Sequence, residues 1–332
     1  MRRRSFLRAA AGLAALARPA RAEAKPEKLV FVTDWKAQAE HGGFYQALAA
    51  GFYRARGLDV QIRQGGPQIN TQQIIASGAV DLAMGSNSIM LFNLVNAGVP
   101  VKAVMAAFQK DPQVFISHPR GDVSRLADMR GRPIMVGADT ISTSWIWLKA
   151  KFGFTDTQIR PYTFTLAPFL ADKTAIQQGY LGSEPFSIKR AAGIEPEVYL
   201  LADDGYPGYA CMVVASHRLI DRKPQVAKAF VEASIEGWAS YLNGDPAPGN
   251  ALIRKDNPEM TDDLLAFGIA QMKKYGIVES GDAGRLGIGA MTEARWKEAF
   301  DVMASTGLYP ARMDWRKAFM FDFVNKGHGL GK

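Results

Sequence analysis

The chain has 332 residues, 48% of them hydrophobic and 22% charged, too apolar for disorder and long enough for about two domains with cores of their own. Forty basic against 32 acidic residues give a net charge of +8, but residues 1–22 hold six arginines and no acid, so the rest carries only +2 and a nucleic-acid partner loses its support. A single cysteine, Cys211, and four scattered histidines exclude an intramolecular disulfide and argue against thiolate metal centres and HExxH-type enzymes.

Residues 1–24 read as an export signal: a basic start, an apolar stretch from Ala9 to Ala17, and Ala20-Arg21-Ala22 as a small-x-small end. Arg3-Arg4-Ser5-Phe6-Leu7-Arg8 follows the twin-arginine pattern, with an ordinary secretory signal as the alternative. Cleavage near residues 22–24 would leave a periplasmic protein, because no second run of 18 apolar residues follows.

From Lys28 onward strands alternate with helices. Leu29–Val32 reads as a strand, residues 43–56 as one helix stopped by Gly57, and Leu58–Ile62 as a half-buried strand. Residues 69–77 read as a helix, Val80–Met84 as a strand ending in a Gly85-Ser86-Asn87-Ser88 loop, and Val99–Ala106 as another strand. Residues 133–137 form the next predicted strand, before a polar loop from Asp139 and a helix from Trp145 to Phe152. Ala171–Gln178 reads as a helix stopped by Gly179, and Val198–Ala202 and Met212–Ala215 as strands. Helices are expected over 224–242, 261–275, 292–306 and 315–324. The alternation predicts a doubly wound α/β architecture. Ile75-Ala76-Ser77-Gly78 before Gly85-Ser86 is echoed by Ile176-Gln177-Gln178-Gly179 before Gly182-Ser183, as two similar lobes would produce.

In α/β folds ligands bind where strands end and helices begin. The densest polar and aromatic segment, Asp34 to Tyr45, occupies such a place. Trp35 and Tyr45 offer flat faces, Glu40 and His41 offer polar atoms, and Gly42-Gly43 allows close backbone approach. Trp35 and Phe44 would equally suit a core. Four more loops fall at strand ends: Ser86-Asn87, Asp139–Trp147 with Trp145, Tyr180–Phe186 with Glu184, and Asp203–Tyr209 with Tyr206 and Tyr209. None pairs a nucleophile with a base, and GxSxG, P-loop and GxGxxG signatures are absent. These residues suit recognition of a flat heterocycle better than bond-breaking, and no cofactor is expected.

Thr33-Asp34-Trp35, Glu40-His41-Gly42-Gly43-Phe44-Tyr45-Gln46-Ala47, Gly57-Leu58-Asp59-Val60, Ile75–Asp81 with Gly85-Ser86, Leu126–Gly131 and Pro224–Phe230 together carry a family resemblance. They are similar to the ABC-importer solute-binding proteins that include thiamine-pyrimidine precursor binders, relatives of the nitrate, sulfonate and taurine binders. The resemblance implies a type II periplasmic-binding-protein fold, with two α/β lobes joined by a two-strand hinge and closing on a ligand. Residues 25–108 and 212–332 would form lobe 1 and residues 109–211 lobe 2, with crossings near Val104–Ser117 and Val198–Val213. It implies an aminopyrimidine-like ligand stacked on Trp35, Tyr45 and Trp145, with Glu184 or Asp34 as acceptors, and His41 in the matching segment. The implied partners are a small heterocycle and an inner-membrane ABC permease, with the protein a monomer. A sulfonate or nitrate-type oxyanion and a riboflavin-like ring are the alternative ligands. The family also has a pyrimidine synthase branch that looks to depend on a cysteine-rich motif, where this chain has Cys211 alone.

Overall fold

The computed structural model describes residues 25–66, 69–310 and 312–330; the predicted export signal lies outside them. Ten strands form two five-stranded sheets. They are β1 (Glu27–Val32), β2 (Leu58–Arg63), β3 (Leu82–Asn87), β4 (Val101–Phe108), β5 (Gln113–Ser117), β6 (Ile134–Val136), β7 (Ile159–Pro161), β8 (Ile176–Tyr180), β9 (Glu197–Leu200) and β10 (Ala210–Ser216). The first sheet runs β2-β1-β3-β10-β4 and the second β7-β6-β8-β5-β9. In each, four strands run in the same direction and the fourth position is taken by an antiparallel strand that has crossed from the other sheet, β10 or β5. The two orders are therefore the same pattern used twice. The chain crosses between sheets at residues 109–112 and 201–209, and β10 starts two residues before the expected lobe boundary at 212.

One arginine spans both crossings. Arg295 donates to the carbonyl oxygens of Gln109 and, at 2.8 Å, Gly208, while its guanidinium stacks 4.4 Å above the Tyr209 ring. Tyr209 is fixed in turn, donating to Asp282 (2.6 Å) and accepting from the Thr292 backbone N–H (2.9 Å).

The first sheet is buried by the helix Pro224–Asn243. Pro224 opens it, and Ala227, Phe230, Val231, Ser234, Ile235, Trp238 and Tyr241 recur on one buried stripe. Phe230 stacks on Tyr53 at 5.0 Å, and the Tyr53 and Ser234 hydroxyls bond at 2.9 Å. This helix lies so close to Gly42–Ala49 that a Cβ on Gly42 would overlap the Tyr241 ring, and one on Gly43 the Trp238 ring.

Several expectations give way to tertiary structure. Residues 43–56 divide into helices Gly42–Ala49 and Phe52–Ala55, because Gly51 adopts φ 76° between them. Gly85 to Asn87 continue β3 instead of looping, held by the Gly85–Met212 and Asn87–Ala210 pairings. Asp139 to Trp147 is helical, as Ala138–Ser142 and Ser144–Phe152. Residues 176–178 are strand, not helix: Ile-Gln-Gln suits a helix locally, but pairing with β5 and β6 on either side overrides that preference. The echo of residues 75–78 at 176–179 therefore joins a helix end to a strand, and it is coincidental. Of the helix expected over 315–324 only the short turn Trp315–Ala318 forms, because Phe319 bridges Ala103 and Met320 N–H bonds its carbonyl at 3.0 Å, covering the sheet edge. Helices His217–Arg222 and Ala247–Asp256 were not anticipated.

Gly237 marks the tightest helix crossing, where a Cβ would overlap the backbone carbonyl of Gly43. Gly237→Ala is expected to lower stability by about 1–3 kcal/mol in urea denaturation, the cost of overpacking, although alanine is the better helix former.

Candidate functional site: an acidic cleft between the two sheets

A cavity of about 750 Å³ lies between the sheets, walled by the segments that follow β1, β2, β6 and β7 and by residues of β3, β8 and β10. Its position is the one that strand-end chemistry favours in α/β folds.

The first wall is the turn after β1. Thr33 Oγ1 donates to the Trp35 carbonyl at 2.8 Å, and Gly65 N–H bonds the same oxygen at 3.0 Å. Gln64 Oε1 accepts from Ala37 N–H at 2.9 Å, and Asn257 Nδ2 donates to the Ala37 carbonyl at 2.8 Å. A turn held from both sides gives the half-buried Trp35 a fixed orientation. Opposite, after β7, stands Phe164, whose ring centroid is 4.6 Å from that of Trp35 with the planes at 51°. Phe164 has φ 57° and Cys211 φ 46°, so two non-glycine residues of the cavity wall occupy the left-handed region that side chains rarely adopt.

The polar part of the wall is carboxylate-rich. Asp34, Glu40, Asp139 and Glu184 all line the cavity, and no lysine or arginine among the described residues does. Asp111 is buried close by, its Oδ1 accepting from Gln113 N–H at 3.0 Å. Burial pushes Glu40 up to about 7, and the negative charges of Glu184 and Asp34 add to the effect. Asp111 is likewise pushed up to about 7 by burial and then by Asp139 and Asp34. Asp139 opens onto the cavity yet is ringed by protein, and this desolvation with Asp34's charge lifts it to about 6. Glu40 Oε1 has no hydrogen-bond partner among the described residues and sits where a Cβ on Gly182, from the opposite sheet's side, would collide with it.

Two of the acids stand at helix beginnings. Asp139 lies in the first turn of Ala138–Ser142, and Glu184 opens Glu184–Ala192. Glu184 accepts from Tyr180 N–H (2.8 Å), the Ser183 hydroxyl (2.5 Å) and the Tyr162 hydroxyl (3.3 Å). His41 Nε2 lies 3.3 Å from Asp34 Oδ1, while its buried Nδ1 is without a partner among the described residues. Burial first, and then the charges of Asp34 and Glu40, push the Cys211 thiol well up, so it stays protonated and unsuited to nucleophilic chemistry.

Of the residues nominated from sequence, Asp34, Trp35, His41, Ser86 and Glu184 come together on this wall. The other six lie outside it, each for a packing reason. Gly42 is a helix-contact glycine against Tyr241, and Tyr45 is buried with its hydroxyl on Asp256 at 2.9 Å. Asn87 caps the helix Ser88–Asn96 by accepting from Met90 N–H at 3.1 Å. Trp145 is buried edge-on to Phe154 with its Nε1 on Asp156 at 3.0 Å. Tyr206 packs 5.2 Å from Trp147, and Tyr209 belongs to the Arg295 cluster at the crossings. Phe164, Tyr162 and Gln178 were not nominated. Tyr162-Thr163-Phe164 follows β7 immediately, so the strand-end rule applied to that short strand would have found two of them.

Together, the repeated sheet order, the double crossing and the cleft between sheets define a type II periplasmic-binding-protein fold. The E. coli periplasmic aliphatic sulphonate-binding protein SsuA is similar in structure at a TM-score of 0.65 and 14% identity, over 89% of this chain and 92% of that one. A ligand-binding component of an ABC-type import system from Staphylococcus aureus is similar at 0.64 and 13%, over 90% and 97%. The chain belongs to the NMT1/THI5-like family, whose signature matches residues 38–247. It is also similar to the riboflavin-binding protein RibY of Chloroflexus aurantiacus, 27% identical over 293 residues, which is 86% of this chain and 82% of that one.

The buried acids make stability pH-dependent. Glu40 and Asp111 keep their protons to about 7 in the folded state but lose them near the ordinary 4.5 and 3.8 when unfolded. Across that interval the unfolded chain binds fewer protons, so their contribution to stability falls as pH rises from about 4 to 7 and stays lost above. Glu40→Gln is therefore expected to raise stability at pH 8, by on the order of 1–3 kcal/mol, and to change little at pH 4. Urea denaturation of both proteins at the two pH values checks it.

Proposed function

We propose that this protein is the solute-binding component of an ABC importer, capturing a flat nitrogen heterocycle rich in hydrogen-bond donors. The observation that carries the reading is a cleft lined by four carboxyl groups and, among the described residues, by no lysine or arginine, with an aromatic pair facing across it. Carboxylates accept from amino, ring N–H and hydroxyl groups, while Trp35 and Phe164 supply the stacking faces. A ring inserted between them would part their centroids to roughly 7 Å, two carbon contact distances. Lobe closure then buries the ligand, and the permease receives it unchanged.

Family membership and the likeness to a ligand-binding component of an ABC-type import system support import, and the similarity to a riboflavin-binding protein supports a flat ring ligand. The cavity volume lies in the range that holds drug-sized ligands, which favours a flavin-sized ring system over a lone aminopyrimidine within this class. An oxyanion ligand is disfavoured, since a sulfonate needs cationic or free N–H donors where this wall presents acids. A synthase-like activity is disfavoured by the solitary, protonated Cys211. The protein is read as exported through its twin-arginine leader, with cleavage near residues 22–24, and as working as a periplasmic monomer. No helix among the described residues is long and apolar enough to cross a membrane.

Trp35→Ala is expected to weaken binding by about 1–3 kcal/mol, the loss of one stacking face in a closed site, and Phe164→Ala by a comparable amount. Titration calorimetry with riboflavin and with an aminopyrimidine, on wild type and both variants, is the test. Unchanged affinity in both variants removes the aromatic pair from the site, and the proposed stacking with it.

A further inference from the structure

We infer that the cleft takes its heterocycle only in the unphosphorylated form and excludes the phosphate monoester of the same ring. The inference rests on the function proposed above and adds the ligand's charge state to it.

Three features of the wall carry it. Asp34, Glu40, Asp139 and Glu184 line one cavity with no lysine or arginine beside them among the described residues. A monoester dianion held there would face like charge in a site that closure dries, where such juxtaposition is most costly. Next, helix beginnings are the ordinary refuge of phosphate in α/β folds. Here the helix Glu184–Ala192, which starts at the cavity, opens on a carboxylate, and Glu184 has claimed the Tyr180 N–H and the Ser183 hydroxyl. Finally, Glu40 brings a buried oxygen with no hydrogen-bond partner among the described residues, and at pH 8, above its value of about 7, this carboxylate can only accept, the opposite of what a phosphate oxygen needs.

Lys36 and Arg160 are sequence neighbours of lining residues, but neither lines the cavity: Lys36 pairs with Glu259 at 2.9 Å, and Arg160 donates to the carbonyls of Thr157 (2.9 Å) and Ile159 (2.8 Å). Where the heterocycle occurs outside the cell as its monoester, phosphate-monoester hydrolysis must precede capture: water attacks phosphorus, the P–O ester bond breaks, and orthophosphate leaves with the free alcohol.

The test is calorimetric titration of the purified protein at pH 8 with riboflavin and riboflavin 5′-phosphate, and with a hydroxymethyl aminopyrimidine and its phosphate ester. The ester of whichever ring binds is expected to bind at least about 100-fold more weakly. In Asp139→Asn, which removes a charge whose side chain makes no hydrogen bond among the described residues, that ratio should narrow by about tenfold. Ester binding within about threefold of the free ring overturns the inference and leaves the proposed function standing. A ratio unmoved in Asp139→Asn also overturns it, because discrimination would then come from shape. Failure of both free rings to bind brings down the proposed function itself, and this inference with it.

Discussion

A carboxyl group removed from water without a cation beside it is held only by what surrounds it, and here that surrounding comes from both halves of the molecule. Glu40 rises from the turn after β1 and meets the backbone of Gly182, beyond β8, at a place where any side chain would collide. The cost of burying Glu40 and Asp111 appears as their raised proton affinity. A protein that only needed to be stable would place neutral or apolar residues there. Keeping acids at that position makes sense where donor groups arrive from outside to complete the hydrogen bonding that the chain leaves open.

The aromatic side of the cleft is built on the same terms. Trp35 is held by hydrogen bonds from Thr33, Gly65 and the neighbourhood of Gln64 and Asn257, so its ring costs little to order when a partner stacks on it. Phe164 sits in a backbone conformation unfavourable for its type, as does Cys211. Both lie where the two halves face each other, and local strain gathers where the cleft demands a particular side-chain direction.

Much of the fold was legible from sequence, because the strands of the first sheet are apolar runs punctuated by glycine and polar turns. The candidate site was legible in part. The rule that ligands gather at strand ends singled out Asp34, Trp35, His41, Ser86 and Glu184, which do line the cavity, and equally Tyr45, Trp145, Tyr206 and Tyr209, which do not, because a large aromatic residue near a strand end is read the same way whether its ring faces a cleft or a core. Only long-range packing decides, through partners such as Asp256 for Tyr45 and Asp156 for Trp145. Strand β8 was hidden for a related reason: its Ile-Gln-Gln stretch carries no β signal of its own and becomes a strand because two neighbours claim its backbone.

Arg295 gives the architecture a further property. Both segments that join the halves rest on this one side chain, through the carbonyls of Gln109 and Gly208, and it stands on a helix apart from the cavity wall. A change at Arg295 would therefore loosen both links between the sheets at once while leaving every residue of the cavity wall in place.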